Sequence, residues 1–391
     1  GKEAWGNDGI AVSVTGKVIV NLYTKVMFDN TIGVIVPKEV EILPALYAFM
    51  VSENYYNEIR KSDQALSITE SSLVKVPFDL DYWTKVAAEK YPNGLPDPYS
   101  DDPTQWLFHG DFRVGEHPLQ VAIARFLGYR WPAEYDTEME LDTKARELIA
   151  SIKEFDGLGD ADGIVCIPPV NRETAAADRL RDYLATVFGI EWKHNTLEQL
   201  LVKEEAKNRT LEGWLRDEFF EQHCRVFNNR PFIWHIWDGR KDGFAALVNY
   251  HTLTREKLQK ITYTYLGDWI QQCEHRLEQG ESGADGLLMA AKKLKEQLLK
   301  ILEGEAPYDI FIRWKPLHEQ PIGWEPDIND GVRLNIRPFI TADILRKKPN
   351  IKWGIDRGKN PPGSHWGEVR DNDRHLTLQE KSEARRKEPE K

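Results

Sequence analysis

The residues whose spacing most suggests chemistry lie in the stretch GKNPPG at 358–363. Asn360-Pro361-Pro362 matches the first three positions of the tetrapeptide Asn-Pro-Pro-aromatic. In that tetrapeptide a backbone carbonyl and the Asn amide hold the amino group of a flipped-out base, and the ring stacks on it. Here the fourth position is Gly363, and the preceding residues, NIKWGIDRGK (350–359), are polar and basic where that chemistry needs the end of a buried strand. The stretch reads as a Pro-rich surface turn, and the match as accidental.

Other chemistry-bearing residues read more simply. DGLGDADG (156–163) has the glycines of a cofactor-cradling turn, yet it precedes the apolar run IVCIP and does not lead into a helix. As a calcium loop it places Asp160 and Asp162 well but puts Ile164 at a ligand position, so a tight acidic turn accounts for it better. His223 and Cys224, in EQHCRVF, find no partner at metal-ligand spacing in His235 or Cys273, which points to packing. The acidic pairs Asp101–Asp102 and Asp371–Asp373 lack a nearby Lys at nuclease spacing, and no Gly-x-Ser-x-Gly elbow occurs. No catalytic, cofactor-binding or metal-ligating residue is assigned.

The positive signal is electrostatic. Between Gly331 and Lys359, the residues Arg333, Arg337, Arg346, Lys347, Lys348, Lys352, Arg357 and Lys359 face only Asp343 and Asp356. Phe339 and Trp353 are interleaved and either stack or pack. Such a stretch can track a phosphate backbone, each contact releasing counterions. It can equally be a solvated basic face against an acidic neighbour. The net charge of the whole chain is −11, which argues against sequence-independent coating of nucleic acid.

These residues need elements to hold them. A chain of 391 residues, 41% hydrophobic and with 13 Trp, is long and apolar enough for two or three folded domains. No apolar run approaches the roughly 18 residues of a membrane span, and no secretory signal is present. Cys166, Cys224 and Cys273 form no disulfide framework, so a cytoplasmic protein is expected. A first residue of Gly1 in place of Met suggests a chain processed, tagged or cut from something longer.

Val- and Ile-rich runs predict β structure over 10–37, then an amphipathic helix over 42–61. A short helix signal at Thr69 to Leu73 leads to a strand-like VKVPF (74–78). PNGLPDPYSDDPTQWLFHGD (92–111) reads as a linker or ordered loop. Helices follow near 117–128, 174–188, 211–227, 254–279 and 284–302. A buried strand is expected in GIVCIPP (163–169), a hairpin over 230–251 about the turn DGRKDG, and a last strand at 308–315. The fold class is α+β. A β-rich segment with a packed helix spans 1–80, a helical connector 81–150, and an α/β helical domain with the hairpin 151–305. A strand and basic segment span 306–367, and a charged, flexible tail 368–391.

Residues 1–80 resemble the closing half of a target recognition domain from a DNA methyltransferase. The likeness rests on strands ending in IGVIVPK, the helix LPALYAFMVSENYYNEIRK, and QALSITESSLVKVPFDL. EKYPNGLPDPYSDDPTQWLFHG, HPLQVAIARFLGYRWP, FFEQHCRVFNNRPFIWHIWDGRKDGFAALVNYH, TYTYLGDWI and GWEPDINDGVRLNIRPF resemble the C-terminal region of large adenine-specific DNA methyltransferases. These are the single-chain, Type IIG-like restriction–modification proteins and their relatives in BREX- and DISARM-like phage defence. The resemblance covers nearly the whole chain.

It implies that the catalytic domain, with its cofactor turn and Asn-Pro-Pro-aromatic, is N-terminal to this region and acts in cis or in trans. S-adenosylmethionine is then the cofactor of the intact enzyme, and none is expected on this chain. Double-stranded DNA is the implied partner, alongside other defence-system proteins, with no membrane. Charge places Arg333, Arg337, Lys347, Lys348 and Lys352 on the DNA backbone, with Lys61, Ser72 and Lys75 as further contacts in the recognition segment. The alternative is a protein-interaction scaffold presenting the Trp-rich hairpin, Trp234 and Trp237.

Overall fold

The computed structural model describes the chain except residues 1–3, 16–17, 24, 26, 64, 66, 97–109, 114, 140, 142, 313, 353–374 and 388–391. The stretch GKNPPG, the residues Trp353, Asp356, Arg357 and Lys359, and both acidic pairs therefore lie outside the described residues. The fold is α+β, with two separate three-stranded antiparallel sheets among many helices. The chain forms two compact units. One comprises Gly1–Ser100 with Asp136–Glu147, the other Asp101–Tyr135 with Leu148–Lys391.

In the first unit, β1 (Gly9–Ser13) lies between β2 (Val20–Tyr23) and β3 (Ile32–Ile35). The register sets Ile10 opposite Leu22 on one side and Ile35 on the other. Side chains alternate across a strand, so Ile10 and Val12 share one face, and both are fully buried. That face carries helices α1 (Leu43–Met50), α2 (Glu53–Ser62), α3 (Glu70–Val74) and α4 (Leu80–Lys90). Phe49 sits at the centre of their core, its ring 5.1 Å from Tyr55 and 5.3 Å from Trp83. The buried Tyr55 hydroxyl donates to the Leu73 carbonyl at 3.0 Å, tying α2 to α3.

The single helix expected over 42–61 is two. Ser52 adopts extended backbone, and its hydroxyl accepts from Tyr55 N–H, a serine N-cap that restarts the helix. The strand expected at VKVPF is absent. Val74 ends α3, and Pro77, which has no N–H to give a ladder, precedes the Asp79 cap of α4.

The second unit is built on β4 (Ile164–Cys166), β5 (Ile233–Trp237) and β6 (Ala245–Asn249), with β6 in the middle. Every residue of β6 is buried. The hairpin about 238–243 forms as the sequence indicates, in register His235 to Leu247. Its turn is tight: Asp238 accepts from the N–H groups of Arg240 and Phe244, and a Cβ on Gly243 would fall 2.3 Å from the Asp238 carboxylate.

Around the sheet run α5 (Pro118–Phe126), α7 (Ala176–Phe188), α8 (Thr196–Lys203), α9 (Leu211–Asp217) and α10 (Phe219–Val226). α6 (Thr143–Ile152) contributes residues to both units. The helix expected over 211–227 breaks at Glu218, whose carboxylate turns back to accept from the N–H groups of Lys207 and Asn208. The helix expected over 254–279 runs as α11 (Arg255–Gln259), a π-helical turn at Lys260–Tyr265, and α12 (Leu266–Glu278). α13 (Ala284–Glu303) buries Leu287, Ala291, Leu294, Leu298 and Ile301 as its spacing predicts.

Two expectations near the end of the chain fail. Tyr308–Ile312 form no strand; Ile312 instead exchanges backbone hydrogen bonds with the buried Gln320 amide. The short helices α14 (Val332–Asn335) and α15 (Arg337–Thr341) follow. The charged tail is also not wholly free, because α16 (Leu378–Lys387) is anchored by a buried Lys381 that donates to the Pro321 carbonyl at 2.8 Å. Among the described residues no helix is long and apolar enough to cross a membrane.

Candidate nucleic-acid interface

The basic stretch takes its place from the free edge of β5. Trp237 N–H donates to the Ile344 carbonyl at 2.9 Å, and Arg346 N–H donates to the His235 carbonyl at 3.0 Å. Ile344–Arg346 thus runs along β5 as a short added strand and covers an edge that would otherwise be open. This pairing delivers Arg346, Lys347 and Lys348 to one rim.

Arg346 is a structural residue. Its guanidinium donates to the Arg216 carbonyl at 2.9 Å and to Asp217 at 3.1 Å, and it lies 4.2 Å from the centroid of the Trp237 ring. That stack fixes the floor of a cleft of about 350 Å³ lined by Trp237, Lys293, Gln297, Arg346, Lys347 and Lys348. Asp238 and Asp343 also line it. Burial raises the pKa of Asp238 despite its two backbone donors. Lys347 is half exposed and pairs with Glu221 at 3.1 Å. Lys348 pairs with Asp343 at 3.0 Å, and Asp343 holds a left-handed backbone, φ 57°, at the bend that turns the chain onto the sheet edge. Lys293, on the exposed face of α13, makes no ion pair among the described residues.

The remaining predicted contacts scatter. Arg337 is buried and is not a surface contact: its guanidinium lies 3.0 Å from His375 Nδ1 and 3.8 Å from the buried Asp309. His375 Nδ1 is 2.6 Å from Asp309, and Leu376 N–H also donates to Asp309. The arginine therefore balances a buried carboxylate that holds the start of α16. Arg333 is partly buried, with its guanidinium on the Asn228 carbonyl at 3.0 Å. Lys352 is exposed.

In the first unit, Lys61 is exposed and pairs with Glu58 at 2.6 Å, while Lys75 is exposed. Ser72 is partly buried and donates to Asp63 at 3.0 Å, which makes it a local tie between α2 and α3. Lys293 is a further lining residue that nothing in the basic stretch announces. Its only signal was a polar position on the helix face opposite the Leu stripe, which says nothing about which rim it meets.

The two motifs read as structural are so. Asp160 accepts from the N–H groups of Asp162, Gly163 and Ile164, and pairs with Arg179 at 2.5 Å. Asp162 takes Lys260 at 2.5 Å and the Tyr265 hydroxyl at 2.8 Å, so the turn is a closed ion-pair hub. The π turn of the 255–278 helix is what brings Lys260 and Tyr265 to it. His223 Nε2 accepts from Phe232 and Ile233 N–H, so its Nδ1–H donates to Gln120 at 3.0 Å. Burial pushes its pKa down to about 3 and that of the Cys224 thiol up to about 12. Among the described residues no group of side chains is arranged to hold a metal.

No family model matches the chain. Two curated relatives share part of it. Over 166 residues, 40% of this chain, it is 26% identical to the adenine-specific methyltransferase PglX of Lacticaseibacillus casei (strain Zhang). Over 204 residues, 47% of this chain, it is 23% identical to the adenine-specific methyltransferase BrxX of Escherichia coli O9:H4 (strain HS). The matches span 14% and 16% of those proteins' own lengths. The chain is thus a distant relative, over part of its length, of adenine-specific methyltransferases.

Proposed function

We propose that this chain is the DNA-handling portion of an S-adenosylmethionine-dependent, site-specific adenine N6 methyltransferase of a restriction or phage-defence system. The observation that carries the reading is the partial similarity to two proteins named as adenine-specific methyltransferases. An enzyme that methylates a base inside a duplex must grip the backbone on both sides of the base it extrudes. The cleft rim supplies groups for that grip: Lys293, Lys347 and Lys348 stand exposed on a rigid floor. Residues 1–80 are assigned to target recognition. Cofactor binding and methyl transfer are assigned to a separate catalytic domain, as the resemblance to large adenine-specific methyltransferases implies.

The hairpin tryptophans do not present an exposed docking face for a partner protein. Trp234 is fully buried, and Arg346 covers a face of Trp237. A gel shift with a duplex at two salt concentrations tests the DNA reading. Salt-sensitive binding that weakens in Lys347→Glu/Lys348→Glu supports it; binding absent at both concentrations refutes it.

A further inference from the structure

The rim lysines of the cleft are not idle. Lys347 is held by Glu221 from α10, and Lys348 by Asp343 at the bend before the sheet edge. Both carboxylates are more exposed than the lysines they hold, at 62% against 51% and 75% against 58%. Among the described residues neither carboxylate accepts a second hydrogen bond, whereas Asp238 accepts two backbone N–H groups and Asp217 lies against both Arg346 and Arg216. The cleft therefore has two charge layers. In its lining, Arg346 is stacked on Trp237 and held from outside by Asp217 and the Arg216 carbonyl. Its rim consists of two exposed ion pairs, each able to open at small cost in water. Lys293 stands on the α13 side of the same cleft without an ion-pair partner among the described residues.

We infer that Glu221 and Asp343 are a built-in competitor for the phosphate that this cleft takes. They occupy Lys347 and Lys348 in the free protein, and an incoming backbone phosphate, approaching Lys293 first, displaces them. The inference rests on the DNA reading above and adds its regulation. Isolated monovalent anions gain too little to open two pairs, whereas a polyanion that reaches three lysines together does. The device suits a chain of net charge −11, which must avoid binding every stray anion and still release DNA.

The experiment is fluorescence anisotropy of a labelled duplex with the wild-type chain, Glu221→Gln/Asp343→Asn, and Lys293→Glu. Melting curves confirm that the variants fold, which is expected because all three side chains are exposed. The double carboxylate variant should bind roughly two- to thirtyfold more tightly, the range expected from opening two exposed pairs. Lys293→Glu should bind more weakly than wild type. If wild type binds but the carboxylate variant binds no more tightly, the competitor inference is overturned while the DNA reading stands. If only the carboxylate variant binds, the competitor is confirmed in its strongest form. If none binds, both fall together.

Discussion

At the scale of single residues, charge in the sequence and charge at the surface turn out to be different things. Arg337 and Arg346 count equally with Lys347 and Lys348 in any tally of basic residues. Yet Arg337 is spent against Asp309, and Arg346 against Asp217 and Trp237. A planar guanidinium that can donate in several directions at once suits these inward roles. Arg337→Ala should therefore act on stability: loss of the partner to a buried carboxylate costs about 3–5 kcal/mol. A lowered urea midpoint, with duplex affinity unchanged below it, is the expected result.

The buried histidines make a second residue-scale prediction. Burial lowers the pKa of both His223 and His235 from 6.5 to about 3. Between those values the unfolded chain binds protons that the native chain does not. Stability is therefore full above about pH 6.5 and falls as the pH drops, by roughly 2–3 kcal/mol per pH unit for the two together. His117 works in the opposite sense, because a hydrogen bond to Glu204 raises its pKa, but it is partly exposed and weaker. Denaturant melts at pH 7 and pH 5 would show the net loss; equal midpoints would contradict the buried, neutral assignment.

At the scale of elements, what was legible in the sequence was local. The 230–251 hairpin is written in two apolar runs about a Gly- and Asp-bounded turn, and the stripe of α13 is written in its Leu spacing. The breaks were harder to read. Ser52 and Glu218 each interrupt an apolar period that continues across them, and only the backbone shows that the helix restarts. Ser52→Ala removes a cap and should cost about 1 kcal/mol, read as a shift in melting midpoint. The π turn at Lys260–Tyr265 leaves no periodic signature, since one extra residue in a helical ladder changes which side chains face the Asp160–Asp162 turn without changing their hydropathy. Tyr308–Ile312 shows the reverse error. Its alternation suggests a strand, but among the described residues no strand pairs with it, and a side-chain amide satisfies Ile312 in its place.

At the scale of the whole molecule, the chain joins two cores, and the candidate interface belongs to the second. The basic segment belongs to that unit through its pairing with the edge of β5, a long-range contact that no local pattern announces. Within the basic segment, Arg337 and Arg346 are engaged inward, and Lys347 and Lys348 are left at one rim. Partial similarity to adenine-specific methyltransferases sets the direction of the functional reading, and the rim supplies the place to test it.

The most direct measurement is the salt dependence of duplex binding by the wild-type chain and by Lys347→Glu/Lys348→Glu, between about 50 and 200 mM salt. The account predicts binding whose logarithm falls linearly with the logarithm of salt, and a slope shallower by about two in the double variant, one for each lost phosphate contact. Identical slopes and affinities for the two proteins would contradict it.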